Sequence, residues 1–184
     1  PLDGLARRQI SMMAALADVR RLVVLPDAHA GSLVCNGTVL ATNSMIFPDA
    51  VGRDIGCGYT AARLVCEPDA FRDAELLGAL LTGVAARVRT LRRADPHEGL
   101  PGPPGSALSA SGLESERKRV TRAQLGTLGR GNHFVEFQRD SEGCIWIMVH
   151  SGSRSLGEAV HAHHTSRATT RDRGITGLVR GTPS

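Results

Sequence analysis

Residues 133 to 150 read HFVEFQRDSEGCIWIMVH, in which two apolar runs rich in aromatic and β-branched residues flank the polar stretch RDSEG. Runs of this length and composition on either side of five turn-forming residues predict a β-hairpin. A turn centred near Ser141 sets His133 about opposite His150. Directly opposed residues of an antiparallel pair share a face, with Cβ atoms roughly 4.5 to 5.5 Å apart. Two imidazoles are therefore expected to converge on one region, provided the register is regular; a one-residue slip turns one ring to the other face.

The remaining chain supplies elements around this hairpin. Leu5, Ile10, Met13 and Leu16 are spaced for a helix over residues 5–18. The run LVVL (22–25) predicts a strand that stops at Pro26, leaving Asp27 and His29 of PDAHAG near its end. Strand ends and the loops after them are where α/β proteins place chemistry. Leu76, Leu77, Leu80, Leu81, Val84, Val88 and Leu91 form an apolar stripe and predict a helix over 73–94, with acids in the first turn and Arg92 and Arg93 in the last. Residues 96–112, crowded with Pro, Gly and Ser, read as a long surface loop. The basic stretch ERKRVTR that follows reads as a solvated face in preference to a phosphate site. There is no internal repeat.

Composition narrows the function classes. At 184 residues the chain suits one unit with a substantial core. Aromatic residues make up 3%, too few for a base-stacking platform of Phe, Tyr and Trp. A net charge of +4 and a pI near 9.3 suit an anionic substrate without proving one. No apolar run approaches the roughly 20 residues of a membrane helix and no signal-peptide pattern is present, so no membrane association and a cytoplasmic location are expected. Cys35, Cys57, Cys66 and Cys144 form no CxxC pair, which argues against a disulfide framework or zinc ribbon and for reduced thiols. The opening on Pro1 leads us to expect a fragment.

The residues able to do chemistry are Asp27, His29, Asp54, Cys57, His133 and His150, each beside glycines or at a predicted strand end. Carboxylate, thiolate and imidazole together suit Zn, Mn, Fe or Co better than Mg or Ca. A thiolate can also bridge two cations, which could clamp a phosphate. Each residue has a plainer reading: a lone cysteine is most often a small buried hydrophobe, Asp27 can close an Asx-turn after Pro26, and His29 can be a hydrogen-bonded structural ring. Cys35, Cys66 and Cys144 lie in apolar runs and read as packing. GTLGRGNH (126–133) offers sparsely covered amides as an anion cradle, and SGSR (151–154) adds hydroxyls and a guanidinium; both also read as tight turns.

PDAHAG, AVGRDIGCG, LGTLGRGNHFVEF and VHSGSRSLG, in this order between about residues 20 and 157, closely resemble the signature blocks of the RtcB family of RNA-splicing ligases. The resemblance implies an α/β, mixed-sheet fold peculiar to that family, incomplete here because the C-terminal half is absent. Residues 1–157 would be the N-terminal metal-binding part, and 158–184 a divergent or poorly ordered tail. It implies GTP- and Mn²⁺-dependent joining of RNA 3′-phosphate or 2′,3′-cyclic phosphate ends to 5′-hydroxyl ends, in tRNA splicing or RNA repair, with two Mn²⁺ ions and a guanylated histidine. An activating protein partner is compatible with it.

By the same resemblance Asp54, Cys57, His133 and His150 match manganese ligands, with Cys57 shared between the ions. Asn132 and Arg154 match nucleotide and phosphate contacts, and Asp27 and Glu136 match acidic residues of the active site. In a regular strand Glu136 would face away from His133, so its role requires a local irregularity. Ser32 and Leu33 replace the lysine and glycine usual after PDAHAG, removing a positive charge. The chain ends at Ser184, before the segment expected to carry another metal-binding histidine, the guanylated histidine and much of the guanine pocket. His161, His163 and His164 fall in a helical stretch that does not match the nucleophile's motif, and residues 169–184 show no apolar period. The alternatives are a non-catalytic, metal-dependent phosphate- or RNA-binding module lacking the guanylated histidine, and a family relic that does not fold stably.

Overall fold

The computed structural model describes residues 2–66, 68–93, 95–96, 107–168 and 170–181. In chain order the elements are α1 (Gly4–Ala14), β1 (Val19–Ala30), β2 (Cys35–Thr42), β3 (Met45–Ile46), α2 (Pro48–Val51), β4 (Gly58–Arg63), a 3₁₀ turn (Pro68–Arg72), α3 (Ala74–Arg87), α4 (Ser111–Gln124), β5 (Phe134–Arg139), β6 (Ile145–Ser151), α5 (Arg154–Arg167), β7 (Thr170–Asp172) and β8 (Ile175–Val179). The chain is mixed α/β, and every strand pairing among the described residues is antiparallel, in small sheets ordered β1-β2, β3-β8-β7 and β4-β6-β5. Two compact units result, Pro1–Arg53 with Glu158–Ser184, and Asp54–Gly157. Among the described residues no helix is long and apolar enough to cross a membrane.

In the first unit, Asp3 caps α1 by accepting a hydrogen bond from the Ala6 amide at 2.8 Å. Ala6, Gln9 and Met13 recur at helical spacing on its buried face. The helix stops at Ala14, four residues short of the sequence expectation, and Leu16 completes the core from the following turn. That core gathers Ala6, Met13, Leu16, Val34, Cys35, Phe47 and Ile175. Strand β1 does not stop at Pro26: it runs on to Ala30, with its register interrupted between Val24 and His29. A proline has no amide to donate, and such an irregularity is where a strand tolerates one.

Residues 170–179, which lack an apolar period, form the hairpin β7–β8. Strand β8 pairs with β3 and places Ile175, 1% exposed, in the core. The Asp172 carboxylate accepts from the Ala17 amide at 2.9 Å, tying the hairpin to the end of α1.

The second unit holds β6 between β4 and β5. Asp73 caps α3 through the Glu75 and Leu76 amides. The helix ends at Arg87, short of the expected 94, and its stripe is only half-buried, with Leu76 and Leu81 exposed. Leu64, Cys66, Phe71, Leu76, Leu77 and Leu80 line an apolar cavity of about 250 Å³. Cys66 is exposed and Cys144 half-buried, so of the three cysteines read as packing only Cys35 is a core residue. The basic stretch forms α4, with Leu113 and Val120 buried, a part-buried ion pair Glu114–Arg117 and a second, more exposed pair Glu116–Arg119. Residues 97–106 of the expected surface loop lie outside the described residues, and 111–112 already belong to α4.

Candidate metal centre

The hairpin β5–β6 forms as the sequence predicts, and Asp140 holds its turn. The Asp140 carboxylate accepts from the Glu142 and Cys144 amides and from Trp146 Nε1, the last at 2.8 Å. These bonds, the indole first, lower its pKa, with the turn amides and Arg63 adding to the effect against burial. The register differs from the expectation by one residue: Phe134, not His133, lies opposite His150. The imidazoles meet nonetheless, with ring centroids 5.0 Å apart, because His133 precedes the strand and is freed from its alternation.

The same register decides Glu136. It pairs with Met148 and lies two residues from Phe134, hence on the face that carries His150. No irregularity within β5 is needed. Its carboxylate accepts from Gln138 Nε2.

His150, 3% exposed, is enclosed by rings. Tyr59, its partner on β4, stacks on it at 4.2 Å and 15°, and Phe134 and His133 meet it edge-on. Sequence reading missed Tyr59. Its signal was available, since it is the chain's only tyrosine and follows GCG directly.

Asp54 and Cys57 are brought to these rings by a turn in which the Cys57 amide donates to the Asp54 carbonyl at 3.3 Å. Asp54, Cys57 and His150 each present a ligand atom, all within 4.8 Å of one another. His133 stands beside the trio, with Nε2 3.0 Å from Asp54 Oδ2. Two glycines permit the approach. A Cβ on Gly152 would stand 2.6 Å from Cys57 Cα, and one on Gly129, at φ +94, would stand 2.5 Å from His133 Nδ1. Ser151 Oγ donates to the Leu128 carbonyl at 2.8 Å and fastens the end of β6 to the glycine loop.

The electrostatics fit a cation. Asp54 Oδ1, His133 Nδ1 and both ring nitrogens of His150 are buried without a hydrogen-bond partner. A buried polar atom left unpaired costs roughly 1 to 3 kcal/mol, and Asp54 and His150, which carry such atoms, belong to the trio whose ligand atoms lie within 4.8 Å. The Cys57 thiol is pushed above its ordinary value by burial, then by the neighbouring Asp54 charge and by a hydrogen bond to Asp54. A bound dication would reverse that preference, because a coordinating thiol is deprotonated outright.

Of the other candidates, Asn132 is exposed on the glycine loop, and Arg154 sets Nη1 2.8 Å from where a Gly131 Cβ would stand. Asp27 and His29 belong to the first unit. There His29 Nδ1 lies 2.7 Å from the Asp27 carbonyl and Nε2 lies 3.2 Å from Asn36 Nδ2, the pattern of a hydrogen-bonded structural ring.

The sequence model of the tRNA-splicing ligase RtcB family matches residues 9–101 and 102–178. The chain belongs to the RtcB family. It is 35% identical over 176 residues to the RNA-splicing ligase RtcB of Escherichia coli, covering 87% of this chain and 43% of that protein. RNA-splicing ligase RtcB homolog 1 of Entamoeba histolytica is 32% identical over 202 residues, covering 83% of this chain and 38% of that protein. The chain thus spans less than half the length of these RtcB relatives. The RtcB match also runs through β7 and into β8, so the tail without an apolar period lies within the family's pattern.

Proposed function

We propose that this chain carries the metal-binding part of a GTP- and Mn²⁺-dependent RNA ligase, which joins 3′-phosphate or 2′,3′-cyclic phosphate ends to 5′-hydroxyl ends. The observation that carries the reading is the convergence of Asp54, Cys57 and His150 within 4.8 Å, with buried, unpartnered ligand atoms, in a chain of the RtcB family. Asp54, Cys57, His133 and His150 would hold the Mn²⁺. When bound, the metal polarises phosphoryl oxygens and stabilises the charge that develops on them. The residues of the chain do the positioning: Tyr59 and Phe134 fix the His150 ring and exclude water, and Arg154 and Asn132 flank the glycine loop where a phosphate would rest. Glu136 and Asp27 are the acidic residues assigned to the reaction by their motifs.

The second reading, supported by the basic pI near 9.3, is a metal-dependent RNA-binding module without ligase chemistry of its own.

The test has two stages. Calorimetric titration with Mn²⁺ should give saturable binding that falls about tenfold or more in Cys57→Ala, since losing even an outer-shell partner of a ligand costs that much; equal binding by both proteins would sink the metal centre. With Mn²⁺ bound, RNA bearing a 2′,3′-cyclic phosphate is then offered with a 5′-hydroxyl RNA and GTP. A joined product, abolished by chelation, establishes the ligase. RNA retention without product shows that this chain by itself binds RNA without joining it.

A further inference from the structure

The segment after α3, residues 88–93, is missed by sequence reading, which extends the helix through it. In the structure it leaves the helix and is fastened to the glycine loop. The Leu128 amide donates to the Arg89 carbonyl at 2.8 Å, the Gly129 amide to the Thr90 carbonyl at 2.9 Å, and the Arg93 amide to the Ala123 carbonyl at 2.9 Å. Arg93 completes the attachment through its guanidinium, bonding the Leu125 and Asp95 carbonyls. A Cβ on Gly129 would stand 2.5 Å from His133 Nδ1, so Thr90, in the middle of the segment, is one hydrogen bond away from the glycine that packs on His133.

The charge on this junction is one-sided. Residues 87–93 and 125–133 together contain five arginines and no aspartate or glutamate. Arg87 and Arg93 spend their guanidinium groups on backbone carbonyls. Arg89, Arg92 and Arg130 are exposed, and their guanidinium groups make no hydrogen bond or ion pair among the described residues. The contrast with α4 is direct, because there the arginines at 117 and 119 are matched by glutamates one turn away. A solvated face is normally balanced in that way; uncompensated guanidiniums held on fixed backbone beside a phosphate-handling centre are suited to phosphodiester oxygens.

We propose that Arg89, Arg92 and Arg130 form a track for the phosphodiester backbone of single-stranded RNA, leading to the metal centre along the outer edge of the glycine loop. This rests on the reading of RNA as substrate. The three contacts act on the backbone and carry no base preference.

The test compares the wild-type chain, the triple variant Arg89→Gln, Arg92→Gln, Arg130→Gln, and a control of equal charge loss in the other unit, Arg8→Gln, Arg20→Gln, Arg171→Gln. Each is titrated, with Mn²⁺ present, against a fluorescent single-stranded RNA of mixed sequence over a range of salt. The expected result is that the triple variant binds roughly tenfold or more weakly, with a salt slope flatter by about 0.7 per lost contact. The control stays near wild type, and Mn²⁺ uptake is the same in all three. Should the triple variant lose Mn²⁺ uptake, the double variant Arg89→Gln, Arg92→Gln decides, with an expected flattening of about 1.4. Unchanged RNA binding in the triple variant, or equal weakening in the control, overturns the track while leaving the RNA reading intact. A wild-type chain that takes up Mn²⁺ and binds no RNA overturns both.

Discussion

Side-chain volume decides the chemistry at the scale of single residues. Cys57 can stand beside the carboxylate and imidazole only because position 152 has no Cβ to collide with its backbone. Gly152→Ala should therefore destabilise the unit by roughly 1 to 3 kcal/mol, as overpacking does, and weaken Mn²⁺ binding as well. Gly58→Ala, one residue past the cysteine, meets nothing within 4 Å and should leave Mn²⁺ affinity unchanged. Calorimetry on the two variants separates them; equal affinity loss in both would show that the backbone approach is not what sets the site. Sequence reading located the glycines but not their duties, since a glycine needed for clearance and one facing open space look alike in one dimension.

Secondary-structure elements turn these local demands into register. The β5–β6 hairpin was legible from its apolar runs and polar turn, yet its register depends on where Asp140 draws in the Glu142 and Cys144 amides and the Trp146 indole. Because these bonds hold the folded Asp140 pKa below its ordinary 3.8, their stabilisation is fully present above that value and is lost as pH falls through the depressed folded value. Trp146, the chain's only tryptophan, reports on this turn. Its fluorescence should hold steady down to about pH 4 and change below it, and Asp140→Asn should remove the step. A step of the same size in Asp140→Asn would assign the transition to other carboxylates. Strand β1 shows the opposite failure of sequence reading. Pro26 signals a stop locally, but pairing with β2 on both sides of the irregularity carries the strand through it.

The whole molecule divides into two units, and the candidate ligands Asp54, Cys57, His133 and His150 all fall in one of them. A ligand that binds only the folded form stabilises what it touches, by about 2.7 kcal/mol at a hundredfold excess over Kd. Hydrogen exchange with and without Mn²⁺ should accordingly slow around residues 54–59, 127–133 and 148–152. It should leave β1–β2 and β7–β8 in the other unit unaffected. Protection spread evenly over both units would mean that the division is not thermodynamic.

The sequence alone determined the chemistry available. Residue types and their glycine-rich settings identified six candidates, Asp27, His29, Asp54, Cys57, His133 and His150, and resemblance of four separated blocks identified the family and narrowed the metal ligands to the last four. It also located α1, α3 and the β5–β6 hairpin, though not their exact ends or register, because their apolar periods are local. Tertiary structure decided the rest. Ile175 enters the core although residues 169–184 show no period, since burial there comes from pairing β8 with β3 across more than a hundred residues of sequence. Tyr59 reaches His150 only across the β4–β6 ladder, and the 88–93 segment reaches the glycine loop only through backbone amides that side-chain identity does not encode. Local pattern specifies which groups a chain can offer; long-range pairing and close approach select which of them meet.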